Sequence, residues 1–60
     1  MKTSELLKLL KKAGVTYVEP GKRHDMYYSP ITKKTFPVPR HKQEVATGTL
    51  NNILKDAGLK

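Results

Sequence analysis

Gly21-Lys22-Arg23-His24-Asp25-Met26-Tyr27-Tyr28-Ser29-Pro30 is the stretch on which the fold depends. From Arg23 to Tyr28, an extended backbone places His24, Met26 and Tyr28 on one side and Arg23, Asp25 and Tyr27 on the other. That two-residue period predicts a half-buried strand. Pro20-Gly21 before it and Ser29-Pro30 after it carry turn chemistry, so the chain must fold back at both ends. Upstream, Val15, Tyr17 and Val18 form a short β-rich run. Downstream, Thr35, Phe36 and Val38 form another, and Pro37 and Pro39 restrict it to a sheet edge or a short ladder. Three consecutive short strands with tight turns predict an antiparallel meander.

Helical patterns flank the meander. Leu6, Leu7, Leu9, Leu10 and Ala13 recur at helical spacing, with Lys8, Lys11 and Lys12 on the opposite face. The spacing predicts a helix from about Ser4 to Ala13, with Thr3 or Ser4 as N-cap. Glu5 suits the positive end of the helix dipole, and Gly14 is placed as the left-handed residue that ends the helix. Arg40 to Ala46 reads as a polar loop. Thr47 then has the chemistry of an N-cap, and Leu50, Ile53, Leu54 and Ala57 mark an apolar stripe that Gly58 closes. The expected fold is α+β, in the order α-β-β-β-α. Each helix has a single apolar stripe, so both should pack on one face of the three-stranded sheet and leave the other face open.

With 60 residues the chain is expected to be a single domain, residues 1–60. So short a domain buries only about 60% of the surface its unfolded chain exposes, so its core is thin. Twelve basic and five acidic residues give a formal net charge of +7. That imbalance favours a polyanionic partner: nucleic acid, an anionic surface or an acidic protein. No apolar run approaches the roughly 20 residues that span a bilayer, so no membrane partner is expected. Met1-Lys2-Thr3-Ser4-Glu5 passes straight into the amphipathic pattern without a signal-peptide core. There are no cysteines, which excludes disulfides and thiolate metal sites and makes a reducing cytoplasm the expected location. Glu5, Glu19, Asp25, Glu44 and Asp56 are scattered without ligand spacing, so neither a metal nor any other cofactor is expected.

Three groups of residues bear on function. Gly21-Lys22-Arg23-His24 places a histidine and two cations at a turn. Glycine lets a ligand approach the backbone, Lys22 and Arg23 suit phosphate, and an imidazole suits proton transfer near neutrality. Ribonucleolytic transphosphorylation needs these parts, but a lone G-x-x-H has little specificity, and spacing alone favours a basic turn that only touches phosphate. Arg40-His41-Lys42 is a cationic loop before a helix N-terminus, either an anion site or a solvated loop. His41 could also supply the second proton carrier that a one-histidine mechanism lacks. Tyr17, Tyr27, Tyr28 and Phe36 are interleaved with basic residues. Phe36 reads as core. Alternation forces one of Tyr27 and Tyr28 outward as a substrate-facing hydroxyl or base-stacking ring. Asp25 follows His24 directly in a strand and so should point to the opposite face rather than pair with it.

Several blocks of the chain resemble the HicA family of bacterial mRNA interferase toxins. These are Ser4-Glu5-Leu6-Leu7-Lys8-Leu9-Leu10 with Ala13-Gly14, Gly21 and His24 before Tyr27 and Pro30, Val38-Pro39-Arg40-His41, and Gly48-Thr49-Leu50 through Ile53-Leu54-Lys55-Asp56-Ala57-Gly58-Leu59. The resemblance covers nearly the whole chain, and the last block is its most specific part. It implies a double-stranded-RNA-binding-domain-like fold and endoribonuclease activity on mRNA, with His24 as the catalytic histidine. It also implies a HicB antitoxin that covers the active site. Lys22-Arg23 departs from the glycine or serine that family members often carry just before the histidine. The RNA- and phosphate-binding set expected here is Lys22, Arg23, Tyr27, Tyr28, Arg40, His41 and Lys42. The competing expectation is a non-catalytic RNA-binding module with the same charge and fold. An interaction module for an acidic protein is a third.

Overall fold

The computed structural model describes residues 1–40 and 43–60. The element order is α1 (Thr3–Lys12), β1 (Thr16–Pro20), β2 (His24–Ser29), β3 (Lys34–Pro39) and α2 (Thr47–Ala57). The strands form one antiparallel sheet in the order β1-β2-β3. The expected α+β meander is therefore the observed one.

Sheet register follows from the alternation in β2. Tyr27 pairs with Phe36 and Asp25 with Val38, while His24, Met26 and Tyr28 pair with Pro39, Pro37 and Thr35. Directly paired residues share a face, so Tyr27, Phe36 and Val38 lie together on one side of the sheet. On that side Phe36 and Val38 are buried with Leu6 and Leu10 of α1 and Ile53 and Ala57 of α2. The opposite side carries His24, Met26, Tyr28, Thr35 and Pro37, none of which belongs to the buried core, while Pro39, paired with His24, is buried.

The prolines of β3 fit because hydrogen bonding also alternates along a strand. Even-numbered residues of β3 bond toward β2, as the Arg40 amide just beyond the strand does to the Arg23 carbonyl (3.5 Å). Pro37 and Pro39 fall on the outward-facing parity, where a missing N–H breaks no ladder bond. At the other edge, β1 is exposed along its whole length, and its register shifts between Tyr17 and Glu19. A bulge at that point, followed by Pro20, interrupts the free edge against pairing with another chain.

Both helices end as their glycines predict. Gly14 (φ 88°) and Gly58 (φ 82°) adopt the left-handed conformation. The amide of Val15 reaches the Leu10 carbonyl and that of Leu59 reaches the Leu54 carbonyl, each at the end of its helix. These six-to-one bonds, with Gly14 to Lys11 and Gly58 to Lys55, define Schellman closures.

The helix starts differ from the sequence expectation. Lys2 occupies the N-cap of α1 and Ala46 that of α2, and neither makes a side-chain capping bond. Thr3 and Thr47 are instead the first helical residues. The cause at α1 is a short antiparallel contact: Lys2 bridges Glu44, the Thr3 amide donates to the Gln43 carbonyl (2.9 Å), and the Val45 amide donates to the Met1 carbonyl (2.9 Å). That pairing holds Lys2 extended and supplies the backbone acceptor that a cap side chain would otherwise provide. At α2 the cause is Val45, expected within a polar loop but only 4% exposed and part of the core. Once Val45 is anchored, Ala46 is extended and its carbonyl accepts the first helical bond, from Leu50.

Candidate functional site

The site is built on the hairpin between β1 and β2. Gly21 donates its amide proton to the His24 carbonyl (2.7 Å), leaving Lys22 and Arg23 as the tip. A Cβ on Gly21 would run into that same carbonyl oxygen, so close approach is what requires glycine here. Lys22, Arg23 and His24 are all exposed. They line an open depression with Gly21, Met26 and Pro37. Its floor is the side of the sheet away from the helices, so an extended ligand can reach the imidazole without moving any core residue.

Arg40 underlies this tip. Its Nη1 donates to Asp25 Oδ1 (3.2 Å), and its Nη2 donates to the carbonyls of Gly21 (2.9 Å) and Lys22 (3.0 Å). Three of its five N–H donors are thus held inside the protein. Asp25 turns away from the His24 side, as alternation requires, and its carboxylate serves Arg40. No sequence signal pairs these residues, which lie 15 to 19 positions apart.

The two tyrosines separate. Tyr27 lies on the helix-facing side, packed against the core, with its ring edge-on to Tyr17 (centroids 5.7 Å, 78°). Burial, then the Asp25 charge and then Tyr17 push its phenol above the ordinary value of 10.0. It therefore keeps its proton and makes a poor base. Tyr28 shares the open face with His24 and Met26. Four residues of strand put its Cα about 13 Å from that of His24, the span of a longer ligand rather than of one reacting group.

Of the expected binding set, the structure brings Lys22 and Arg23 to His24, extends the same face to Tyr28, sets Arg40 beneath the tip and places Tyr27 on the other side of the sheet. His41 and Lys42 lie outside the described residues. Sequence reasoning did not find Met26 and Pro37 as floor residues, nor Asp25 as the partner of Arg40. Among the described residues no three His, Cys, Asp or Glu side chains cluster as a metal site would require. Nor is any helix among them long and apolar enough to cross a membrane.

A family model described as the HicA toxin of bacterial toxin–antitoxin systems matches residues 3–59. No curated protein and no solved structure gives a significant match.

Proposed function

Because the chain belongs to the HicA toxin family of bacterial toxin–antitoxin systems, we propose that it is the toxin of such a pair and acts as an endoribonuclease on mRNA, with His24 as the catalytic residue. The observation that carries this reading is the hairpin tip: an exposed imidazole flanked by Lys22 and Arg23 on the uncovered face of a sheet. Neutral His24 takes the proton from a ribose 2′-OH. The 2′ oxygen attacks the adjacent phosphorus, the bond from phosphorus to the 5′ oxygen breaks, and that oxygen is protonated by the imidazolium or by water. The products are a 2′,3′-cyclic phosphate and a 5′-hydroxyl end. Lys22 and Arg23 balance the extra charge on phosphorus. The reaction as written needs no metal ion.

Tyr28 is positioned to stack a base further along the strand. His41 and Lys42 join the proposed phosphate-binding set by residue type alone. Tyr27 supports the sheet and touches RNA only from its rim. A family of toxin–antitoxin toxins implies an antitoxin partner. Here it is of the HicB type, acidic enough to cover the tip, and the pair works in the cytoplasm. The double-stranded-RNA-binding-like comparison extends to the element order, but the tip suits an unpaired strand.

Labelled RNA incubated in EDTA tests the chemistry. The parent should cut it, His24→Ala should bind it without cutting, and a 2′-deoxy nucleotide at the cut site should block cleavage. His24→Ala cutting as fast as the parent would falsify the mechanism. Binding without cleavage by the parent would leave the non-catalytic RNA-binding module.

A further inference from the structure

We propose that Arg40 is a positioning residue, braced by Asp25, that fixes the hairpin tip so that the Lys22 and Arg23 amides and the His24 ring meet one phosphate of the bound RNA. The proposal rests on the reading of His24 above.

Arg40 binds all three carbonyls of the tip segment. Nη2 takes those of Gly21 and Lys22, and its own amide takes that of Arg23. A trans peptide points its C=O and N–H in opposite directions. Drawing the Gly21 and Lys22 carbonyls toward the guanidinium therefore turns the Lys22 and Arg23 amide protons away from it. Neither amide has a hydrogen-bond partner among the described residues. Unpartnered backbone donors beside two cationic side chains form a concavity for an anion.

The geometry also explains why this cation is arginine. A planar fork can serve a carboxylate and two carbonyls at once, whereas an ammonium is a point charge on a flexible stem. The Asp25 pair itself is partly exposed, with side chains 34% and 18% accessible, so it adds little stability. Its role is to aim the fork.

The test uses the whole chain with Arg40→Lys, which keeps the charge, and Asp25→Asn, which keeps the guanidinium. Single-turnover cleavage at saturating RNA should fall about 10- to 100-fold in Arg40→Lys, as expected for a reacting group displaced by about 1 Å. RNA affinity and its salt dependence should stay close to those of the parent. In nuclear magnetic resonance spectra without RNA, the amides from Gly21 to His24 should shift and exchange faster while those of α2 do not change. Asp25→Asn should move the same tip amides by less.

Parental cleavage by Arg40→Lys overturns the proposal. So does weakened affinity with an unchanged cleavage rate, which would make Arg40 a phosphate ligand. If the parent itself does not cut RNA, the nuclease reading fails on its own, and unchanged tip amides in Arg40→Lys would still refute the clamp.

Discussion

Ser29→Ala should lower the melting temperature by about 15 °C. Ser29 is fully buried (0% exposed), and its Oγ donates to the Ala57 carbonyl (2.7 Å) while accepting from the Ile31 amide (3.2 Å). Ala57 is itself fully buried (0%) and is the last residue of α2, where carbonyls have no helical partner. Removing the hydroxyl leaves that carbonyl dry and unpaired, at about 1–3 kcal/mol. The Ile31 amide and the Thr32 amide (3.5 Å from Oγ) belong to an exposed and a half-buried residue and can turn to water, so one orphaned group is counted. Unfolding entropy of about 2.1 cal/mol/K per residue gives about 0.13 kcal/mol/K for a domain of this length. A loss of about 2 kcal/mol then corresponds to about 15 °C. Thr32→Val is the control. Its hydroxyl donates to the Asp56 carbonyl in a partly exposed setting, so water can substitute and a drop of about 4–8 °C is expected. Thermal unfolding followed by circular dichroism reads both. A fall of less than about 5 °C for Ser29→Ala, or the reverse ranking, would refute the assignment of that bond to the stability of α2. Cleavage by the folded fraction should not change, because Ser29 lies about 17 Å along the strand from His24.

Gly48→Ala should raise the melting temperature by about 4–8 °C, since a Cβ there meets nothing within 4 Å and helical alanine is favoured over glycine. Gly21→Ala should lower stability by about 1–3 kcal/mol and abolish cleavage, because the added carbon collides with the His24 carbonyl; thermal melts and the RNA assay check both. Raising the pH past the ordinary phenol value of 10.0 should destabilise the protein partly through Tyr27. The folded state holds that proton to higher pH than the unfolded chain, so this contribution is complete below the unfolded value and is lost as pH rises through the folded one. Melts of the parent and Tyr27→Phe across that range should diverge, with the variant losing less. Lys22→Ala and Arg23→Ala should each make the plot of log affinity against log salt shallower by about 0.7, as loss of one contact to single-stranded phosphate requires; an unchanged slope would remove that residue from the RNA interface.

The sequence was legible where the determining contacts are local. The alternation from His24 to Tyr28, the leucine stripe of α1, and Gly14 and Gly58 each act within a few residues, and each element they predict is present. Pro37 and Pro39 restricted their strand to an edge or a short ladder because each removes a donor whatever surrounds it, and β3 lies at the edge. What local reading did not supply depends on distant partners. Val45 is core because the segment before α2 pairs with the N-terminus, some 40 positions away. Ser29 is buried because α2 ends against the β2–β3 turn, 28 positions on. Arg40 looked like a free cation because nothing local shows that it meets Gly21, Lys22 and Asp25. The same limit applied to the tyrosines: alternation separated Tyr27 from Tyr28, but only the position of the helices decides which face is covered.

That dependence on faces ties the fold to the candidate chemistry. Slipping β2 by one residue would turn His24, Met26 and Tyr28 toward the helices and expose Tyr27 and Ser29. Register is therefore a condition for the site, and it is held at both ends of the strand. At the far end the Ser29 hydroxyl fits only opposite the Ala57 carbonyl, and in the middle Tyr27 faces Phe36 in the core. At the near end the last buried residue is Pro39, opposite His24, and the tip beyond it, Lys22 and Arg23, is exposed. Hydrophobic burial, which is non-directional, cannot select one conformation for that tip. Directional bonds can, and the described contacts that reach the tip from outside the hairpin come from Arg40. The residues proposed for catalysis thus sit where packing ends, and their geometry is delegated to a single guanidinium at the end of β3.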